Sequence, residues 1–305
     1  MASALSAPHF HSEEAAFAYV EARVWAEGPV CPHCGGFDRI GKMGGKSTRV
    51  GLYKCYQCRK PFTVRIGTIF ESSHVPLNIW LQAMYLIAGS KKGISSNQLH
   101  RTLGVTLKTA WFMSHRIREA MRDDNMDMFG GEGGEVQADE TYIGNIAEKA
   151  PKARGFAHKM RVVSLLDKRT GKTRSFYAPS KSLPTVSQIV RDNVDQESHL
   201  VTDEARYYWR VGKEFAGHTK VFHGTGNYFK DGRTTNDIEG FFSIFKRGMR
   251  GVYQFCNERH LHRYLAEFDF RYSNRVALGY NDADRADTML KGIVGKRLTY
   301  QRASA

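Results

Sequence analysis

No stretch of the 305-residue sequence is apolar for the roughly 20 residues that a bilayer crossing requires. Ile79–Ala88 comes nearest, and it is short and interrupted by Gln82. The first residues carry glutamates and lack a basic opening segment, so a secretory signal is not expected and a cytoplasmic location is. Cysteine is scarce: of five, four form two Cys-x-x-Cys pairs and Cys256 stands alone. Without a secretory signal, that spacing argues for metal rather than disulfides. Acidic residues are nearly missing from one segment. Residues 31–122 hold 15 Lys/Arg against 3 Asp/Glu, so +12 of the net +14 lies there. Such a concentration of charge predicts a polyanion partner. The rest of the composition is ordinary for a globular chain, and the length predicts two or three small domains.

Residues 1–28 carry one amphipathic helix over 12–27, with Ser12 as its N-cap and Glu13 and Glu14 in its first turn. Residues 29–70 hold Cys31, Cys34, Cys55 and Cys58, with 20 residues between the pairs. Each pair spans a turn that can aim two thiolates at one ion. Four soft ligands in a tetrahedron suit Zn²⁺ in a closed, structural site, one ion per chain. A redox dithiol is the alternative, and two paired motifs argue against it. His33 reads as a turn residue. The β-prone stretches Thr48–Lys54 and Pro61–Ile66 fit the hairpins of a zinc ribbon.

Residues 71–122 read as helical. A strongly apolar helix covers 76–89, a short one Ser96–Leu103, and Gly104-Val105 turns the chain into a third helix capped by Thr106. The last two form a helix-turn-helix pattern, whose second helix enters the DNA major groove. Its apolar positions leave Lys108, Thr109, His115 and Arg116 on the outer face as candidate DNA contacts. Residues 123–135 turn acidic and glycine-rich, a linker.

Residues 136–280 read as α/β. Strands are expected at Val136–Ile143, Met160–Leu166 and Thr173–Ala178, a helix at Leu183–Val194, and a strand at His199–Thr202 ending on Asp203. A helix over Tyr207–Phe215, a strand at Thr219–His223 and a long helix over Thr234–Arg250 follow. This is the order of a ribonuclease H-like domain with a central mixed sheet. Asp139 falls on its first strand, Asp203 at the end of its fourth and Glu239 on a late helix. Glu239 and Lys246 lie seven residues apart, two turns along one side of that helix. Alone, they read more readily as solvated charges on an amphipathic helix. Another amphipathic helix covers 257–275, and residues 281–305 form a tail that either packs or joins an oligomer.

The pieces CPHCG…CYQC, the helix-turn-helix, ADETYIG, VTDEARYY and TTNDIEGFFSIFKRGMRGVYQF resemble bacterial insertion-sequence transposases with an N-terminal zinc ribbon and a DDE nuclease domain. The resemblance covers about residues 13–276. The 35 residues between Asp203 and Glu239 match the spacing of those enzymes. It implies a catalytic triad of Asp139, Asp203 and Glu239, with Lys246 as the downstream basic residue and Asn236 as an alternative third ligand. Glu140 and Glu204 are expected to point elsewhere or to assist indirectly, and His223 and Asp237 are weaker candidates of that kind. Two Mg²⁺ or Mn²⁺ ions on the three carboxylates would serve phosphodiester cleavage and 3′-OH strand transfer. Double-stranded DNA, both element ends and target, is the implied substrate, and a homodimer or larger assembly the implied form in synapsis. The rival reading is a non-catalytic DNA-binding regulator derived from a transposase. A hydrolase that cuts without joining is a third.

Overall fold

A computed structural model describes residues 3–124, 127–146, 155–179, 183–222 and 229–299. The chain divides into two compact units. One comprises Met1–Ser90, Ile94–Arg122 and Tyr280–Ala305, and the other Lys91–Gly93 and Asp123–Gly279. Among the described residues no helix is long and apolar enough to cross a membrane.

The first unit opens with α1, Glu13–Val24. Ser12 Oγ accepts from the Ala15 N–H at 3.2 Å, and Phe17 and Val20 are buried. A three-stranded antiparallel sheet follows, β1 (Ile40–Lys42), β2 (Tyr53–Cys55) and β3 (Pro61–Phe62), in that order. The strand expected over Thr48–Lys54 is therefore confined to its end. Gly51 sits at φ 65°, where a Cβ would lie 2.1 Å from the Phe17 ring. That close approach holds the chain out of extended geometry until Tyr53. Trp25, Tyr53 and Phe62 pack edge and face around the sheet, with centroids 5.4–5.8 Å apart.

The apolar helix α2 (Leu77–Gly89) buries Trp80, Met84 and Ile87. Ser95 caps α3 (Ser96–Leu103), Gly104 ends it in the left-handed region, and Thr106 caps α4 (Leu107–Ala120). The local signals thus place both helices to within a residue or two. They misplace part of the outer face. Lys108 is exposed, but His115 and Arg116 are 1% and 4% exposed. The His115 ring lies against Trp111, with centroids 4.2 Å apart. The Arg116 guanidinium donates to the carbonyls of Ile69 (2.7 Å), Glu71 (2.8 Å) and Leu298 (3.0 Å). Segments 47 and 182 residues away in sequence cover this half of α4, so these two side chains hold the unit together and are not free to meet DNA. The described part of the tail packs in the same unit. Asn281 caps α9 (Asp282–Lys291) with a full capping box, and Arg285 Nε donates to the Ala88 carbonyl at the end of α2 at 3.0 Å.

The second unit is built on a five-stranded sheet, ordered β6-β5-β4-β7-β8. Its strands are β4 (Glu135–Ile143), β5 (Met160–Asp167), β6 (Thr173–Tyr177), β7 (His199–Thr202) and β8 (Gly217–Lys220). The pairs β4–β5 and β5–β6 are antiparallel, and β4–β7 and β7–β8 parallel, a mixed sheet consistent with the expected RNase H-like domain. Helices α5 (Leu183–Asn193) and α6 (Tyr208–Val211) share one core with Val136, Ala138 and Val163. Helices α7 (Asn236–Gly248) and α8 (Glu258–Ser273) share the other with Ile143, Met160 and Val162. The alternation along β4 and β5 supplies both layers. Two expectations shift. The helix expected over Tyr207–Phe215 is one turn of α-helix followed by a 3₁₀ turn, and β8 starts at Gly217 rather than Thr219. The segment read as a linker enters the core early, because Phe129 is buried and bridges to Val194.

Asp269 ties α8 to β6, accepting from the Ser175 N–H at 2.8 Å and the Ser175 hydroxyl at 2.7 Å. Burial lifts its carboxyl from 3.8 to about 7, against hydrogen bonds that pull it down. The folded state therefore holds this proton more tightly than the unfolded chain. Its contribution to stability is complete below about pH 4 and is lost as the pH rises to about 7. Asp269→Asn keeps an acceptor for the N–H and removes the titration. We expect the variant to equal the parent at about pH 4 and to exceed it by up to about 4 kcal/mol above pH 7, read as the difference in denaturation midpoints across pH.

Candidate active site and metal centre

The four paired cysteines converge in the first unit. Their Sγ atoms all lie within 4.8 Å of one another, with Cys31–Cys58 at 3.6 Å and Cys34–Cys55 at 3.7 Å. Four thiolates about 2.3 Å from a tetrahedral Zn²⁺ would be spaced about 3.8 Å apart, so the set fits that ion. A disulfide would need about 2.05 Å, and all five cysteines are free. Backbone N–H groups supply the surrounding shell, those of Gln57 and Cys58 on Cys55 and that of Gly36 on Cys34. Such bonds fix thiolate direction and favour the ionised ligand. Cys256 is buried away from the cluster, and its thiol donates to the Asn257 carbonyl at 3.3 Å. His33 is exposed and outside the ligand set.

The second cluster forms where β7 stops. Its last residue, Thr202, pairs with Ala138, while β4 continues to Ile143 along β5. The next residues of the two parallel strands, Asp139 and Asp203, therefore stand side by side at one strand spacing. Beyond Ala138, among the described residues, no strand pairs with that edge of β4, and Glu140 joins the two aspartates there. Asp139, Glu140 and Asp203 each offer an oxygen within 4.8 Å of the others. Asp203 is set by a turn in which its Oδ1 accepts from the Ala205 N–H at 2.9 Å. Glu140 accepts from the buried Tyr208 hydroxyl at 3.3 Å.

Helix α7 adds the other two members. Glu239 and Lys246 are both near enough for their charges to act on Asp139. The Thr235 hydroxyl, at the start of the helix, donates to Glu239 at 3.0 Å. Burial first, then the Asp203 charge, lifts the Asp139 carboxyl to about 7, with Glu239 adding to the rise and Lys246 opposing it. Burial first, then the Asp203 and Asp139 charges, lift Glu140 to about 8, with the Tyr208 hydrogen bond and the Arg161 charge opposing the rise. Clustered carboxylates that resist ionisation are what a hard cation relieves, since its charge reverses the local repulsion. Oxygen donors alone fit Mg²⁺ or Mn²⁺ and not a soft metal.

Of the residues expected from the sequence, Asp139 and Asp203 are in the tight group, and Glu239 and Lys246 act on it from α7. Asn236 is exposed at the helix start. Glu204 is outside the group, its carbonyl accepting from Trp209 Nε1 at 3.2 Å. Asp237 is engaged elsewhere, accepting from Gln137 at 3.0 Å and facing Lys168 at 3.7 Å. His223 lies outside the described residues. Glu140, expected to point elsewhere or to assist indirectly, lies in the group itself. The signal that could have placed it is an Asp-Glu doublet on a strand that outlasts its neighbour. Glu140→Gln keeps an acceptor for Tyr208 and removes one anionic ligand. We expect Mn²⁺ affinity to fall on the order of 10- to 100-fold by titration calorimetry, while Glu204→Gln binds as the parent does.

Residues 132–273 match the family described as ISXO2-like transposase domain, and residues 11–61 match the transposase zinc-ribbon domain. An uncharacterised protein in transposable element ISH50 of Halobacterium salinarum is 26% identical over 266 residues, covering 81% of this chain and 86% of that one. Among solved structures, a chain from the simian T-cell lymphotropic virus intasome in complex with PP2A regulatory subunit B56 gamma aligns at a TM-score of 0.29 and 13% identity, over 56% of this chain and 63% of that one. At that TM-score the alignment carries no argument.

Proposed function

We propose that this chain, which belongs to the insertion-sequence transposases pairing a zinc ribbon with an ISXO2-like transposase domain, cuts the ends of its element and joins them to target DNA. The observation that carries the reading is the carboxylate group of Asp139, Glu140 and Asp203, with Glu239 and Lys246 acting on it from α7. Two hard divalent ions held by Asp139, Asp203 and Glu239 would activate the attacking oxygen and neutralise charge on the scissile phosphate. Glu140 supports that binding from the same edge. Lys246 is a point charge that holds a backbone phosphate in line for attack. In the first step water attacks the phosphorus at the element end and the 3′ oxygen leaves as a hydroxyl. In the second, that hydroxyl attacks a target phosphodiester, so one P–O bond forms as another breaks. No protein nucleophile is needed in either step.

The ribbon of residues 29–70 and the helices of 71–122 serve as the DNA-binding part, and residues 136–280 as the catalytic part. In this reading Lys108 and Thr109 of α4 face the DNA. Two copies or more bring two ends together. The test is strand joining by the purified full chain, given a pre-cleaved element end, supercoiled plasmid and Mg²⁺ or Mn²⁺. Joined product that disappears with Asp203→Ala supports the reading. Tight binding of the end without cutting or joining under either metal would replace it with a DNA-binding regulator.

A further inference from the structure

Helix α7 does not end in an ordinary cap. It runs into a π-helical turn, Met249–Tyr253, in which the Gln254 N–H donates to the Met249 carbonyl at 2.8 Å. Gln254 then adopts φ 59°, ψ −48°, and the Phe255 N–H donates back to the Tyr253 carbonyl at 2.6 Å. A three-residue turn with positive φ is rare and strained for a residue bearing a side chain. Strain of this kind persists only where the surroundings enforce it, and it concentrates at functional sites. The surroundings do enforce it. The Tyr253 hydroxyl donates to Glu267, and its ring packs on Tyr264 and Phe268 at 4.9 and 6.2 Å. On the other side Cys256 is buried. Between these anchors Gln254 is exposed and Phe255 is 76% exposed. The strain thus holds an aromatic ring out in solvent.

Beside this turn lies a cavity of about 270 Å³ whose lining includes Tyr142, Phe156, Lys159, Arg250 and Gln254. Tyr142 and Phe156 stack at 4.6 Å with planes 13° apart, and Phe156 is 62% exposed. Tyr142 lies on β4 three residues past Asp139, about 10 Å along the strand. The cavity therefore offers a stacking platform, an amide that can both donate and accept, and two cations, close to the carboxylates. It is smaller than ordinary small-molecule pockets, which start at about 300 Å³, and suits a single flat ring rather than a duplex.

We propose that this cavity receives one nucleobase turned out of the duplex next to the scissile phosphate. Phe255 occupies the gap left in the stack, Gln254 meets the edge of the base, and Lys159 and Arg250 meet the flanking phosphates. Apolar wedges at kinked base steps and aromatic platforms under unstacked bases are general devices of this kind. The assignment of substrate rests on the strand-joining reading above.

The test is a binding measurement without divalent metal, so it does not depend on joining. Two otherwise identical labelled duplexes carry the element end, one fully paired and one with an unpaired base next to the cleaved bond. The full chain should bind the second on the order of tenfold more tightly by fluorescence anisotropy, because the unstacking cost is already met. Phe255→Ala should abolish the preference, weakening binding of the duplex with the unpaired base more than that of the paired one. Gln254→Gly, which suits positive φ, should keep the turn and reduce the preference. Equal binding of the two duplexes, no binding of either, or a preference that survives Phe255→Ala overturns the proposal. A preference that vanishes with Phe255→Ala in a protein that never joins strands would support the cavity and reject the reaction.

Discussion

Asp203→Ala is expected to lower metal-dependent strand joining by on the order of 10³-fold or more, the loss typical when one member of a catalytic group acting as a unit is removed. The substitution also removes the acceptor for the Ala205 N–H, so some of its effect is local disorder. Asp203→Asn separates the two causes. It keeps that acceptor and removes only the charge, and its activity should fall nearly as far. Stability should move the other way. The Asp203 charge raises both Asp139 and Glu140, which means that the metal-free site is held together against its own repulsion. Relief of about 1 kcal/mol would raise the melting temperature of a unit this size by about 2–4 °C. A variant that is inactive and slightly more stable when free of metal is the signature of a site built for charge it does not itself neutralise. An inactive Asp203→Asn that melts well below the parent would instead make Asp203 a structural residue.

Removal of zinc is the second large effect. The ribbon core consists of Cys31, Cys55 and Phe62, with Trp25, Ile40, Tyr53, Cys58 and Ile66 packed against it. Two of its three fully buried members, Cys31 and Cys55, belong to the four-cysteine cluster. Structural Zn²⁺ contributes about 10–16 kcal/mol of apparent folding energy in units of this kind. That is as large as the net stability of a whole domain, about 5–15 kcal/mol. Chelation, or Cys55→Ser, should therefore unfold residues 29–64 outright. Amide exchange there should become unprotected while the β4–β8 sheet stays protected. Metal analysis should find one zinc per parent chain and none bound stably by Cys55→Ser, whereas Cys256→Ser keeps it. Retention of ribbon protection after complete zinc loss would refute the structural role.

The features legible in the sequence were those encoded within a few residues. Ser12 and Thr106 announce helix starts because each cap bonds three residues ahead. The Cys-x-x-Cys pairs announce the metal because each turn presents its own two ligands. The order of strands and the places of Asp139 and Asp203 follow from alternation and from parallel pairing. What escaped depends on partners far away in sequence. His115 and Arg116 look like exposed polar residues until residues 69–71 and 298 close over them. Glu140 meets Asp203 just beyond the point where β7 stops pairing, at Thr202. The strained turn at Gln254 is set by Tyr253, whose hydroxyl reaches Glu267 on the following helix. Side-chain direction at such points is decided by where a neighbour ends, and a single strand's pattern does not contain that.

The packing of α9 against α2 carries a consequence for synthesis. The first unit is assembled from segments made before and after the second, with Arg285 reaching the Ala88 carbonyl and Arg116 reaching that of Leu298. On the ribosome, segments generally fold as they emerge. The carboxylate-bearing unit, whose residues end at Gly279, can be complete while the basic unit still waits for its last helix. A nascent chain would thus complete its carboxylate group before the basic unit is finished, and only a chain translated past residue 298 would have every carbonyl partner that Arg116 meets here.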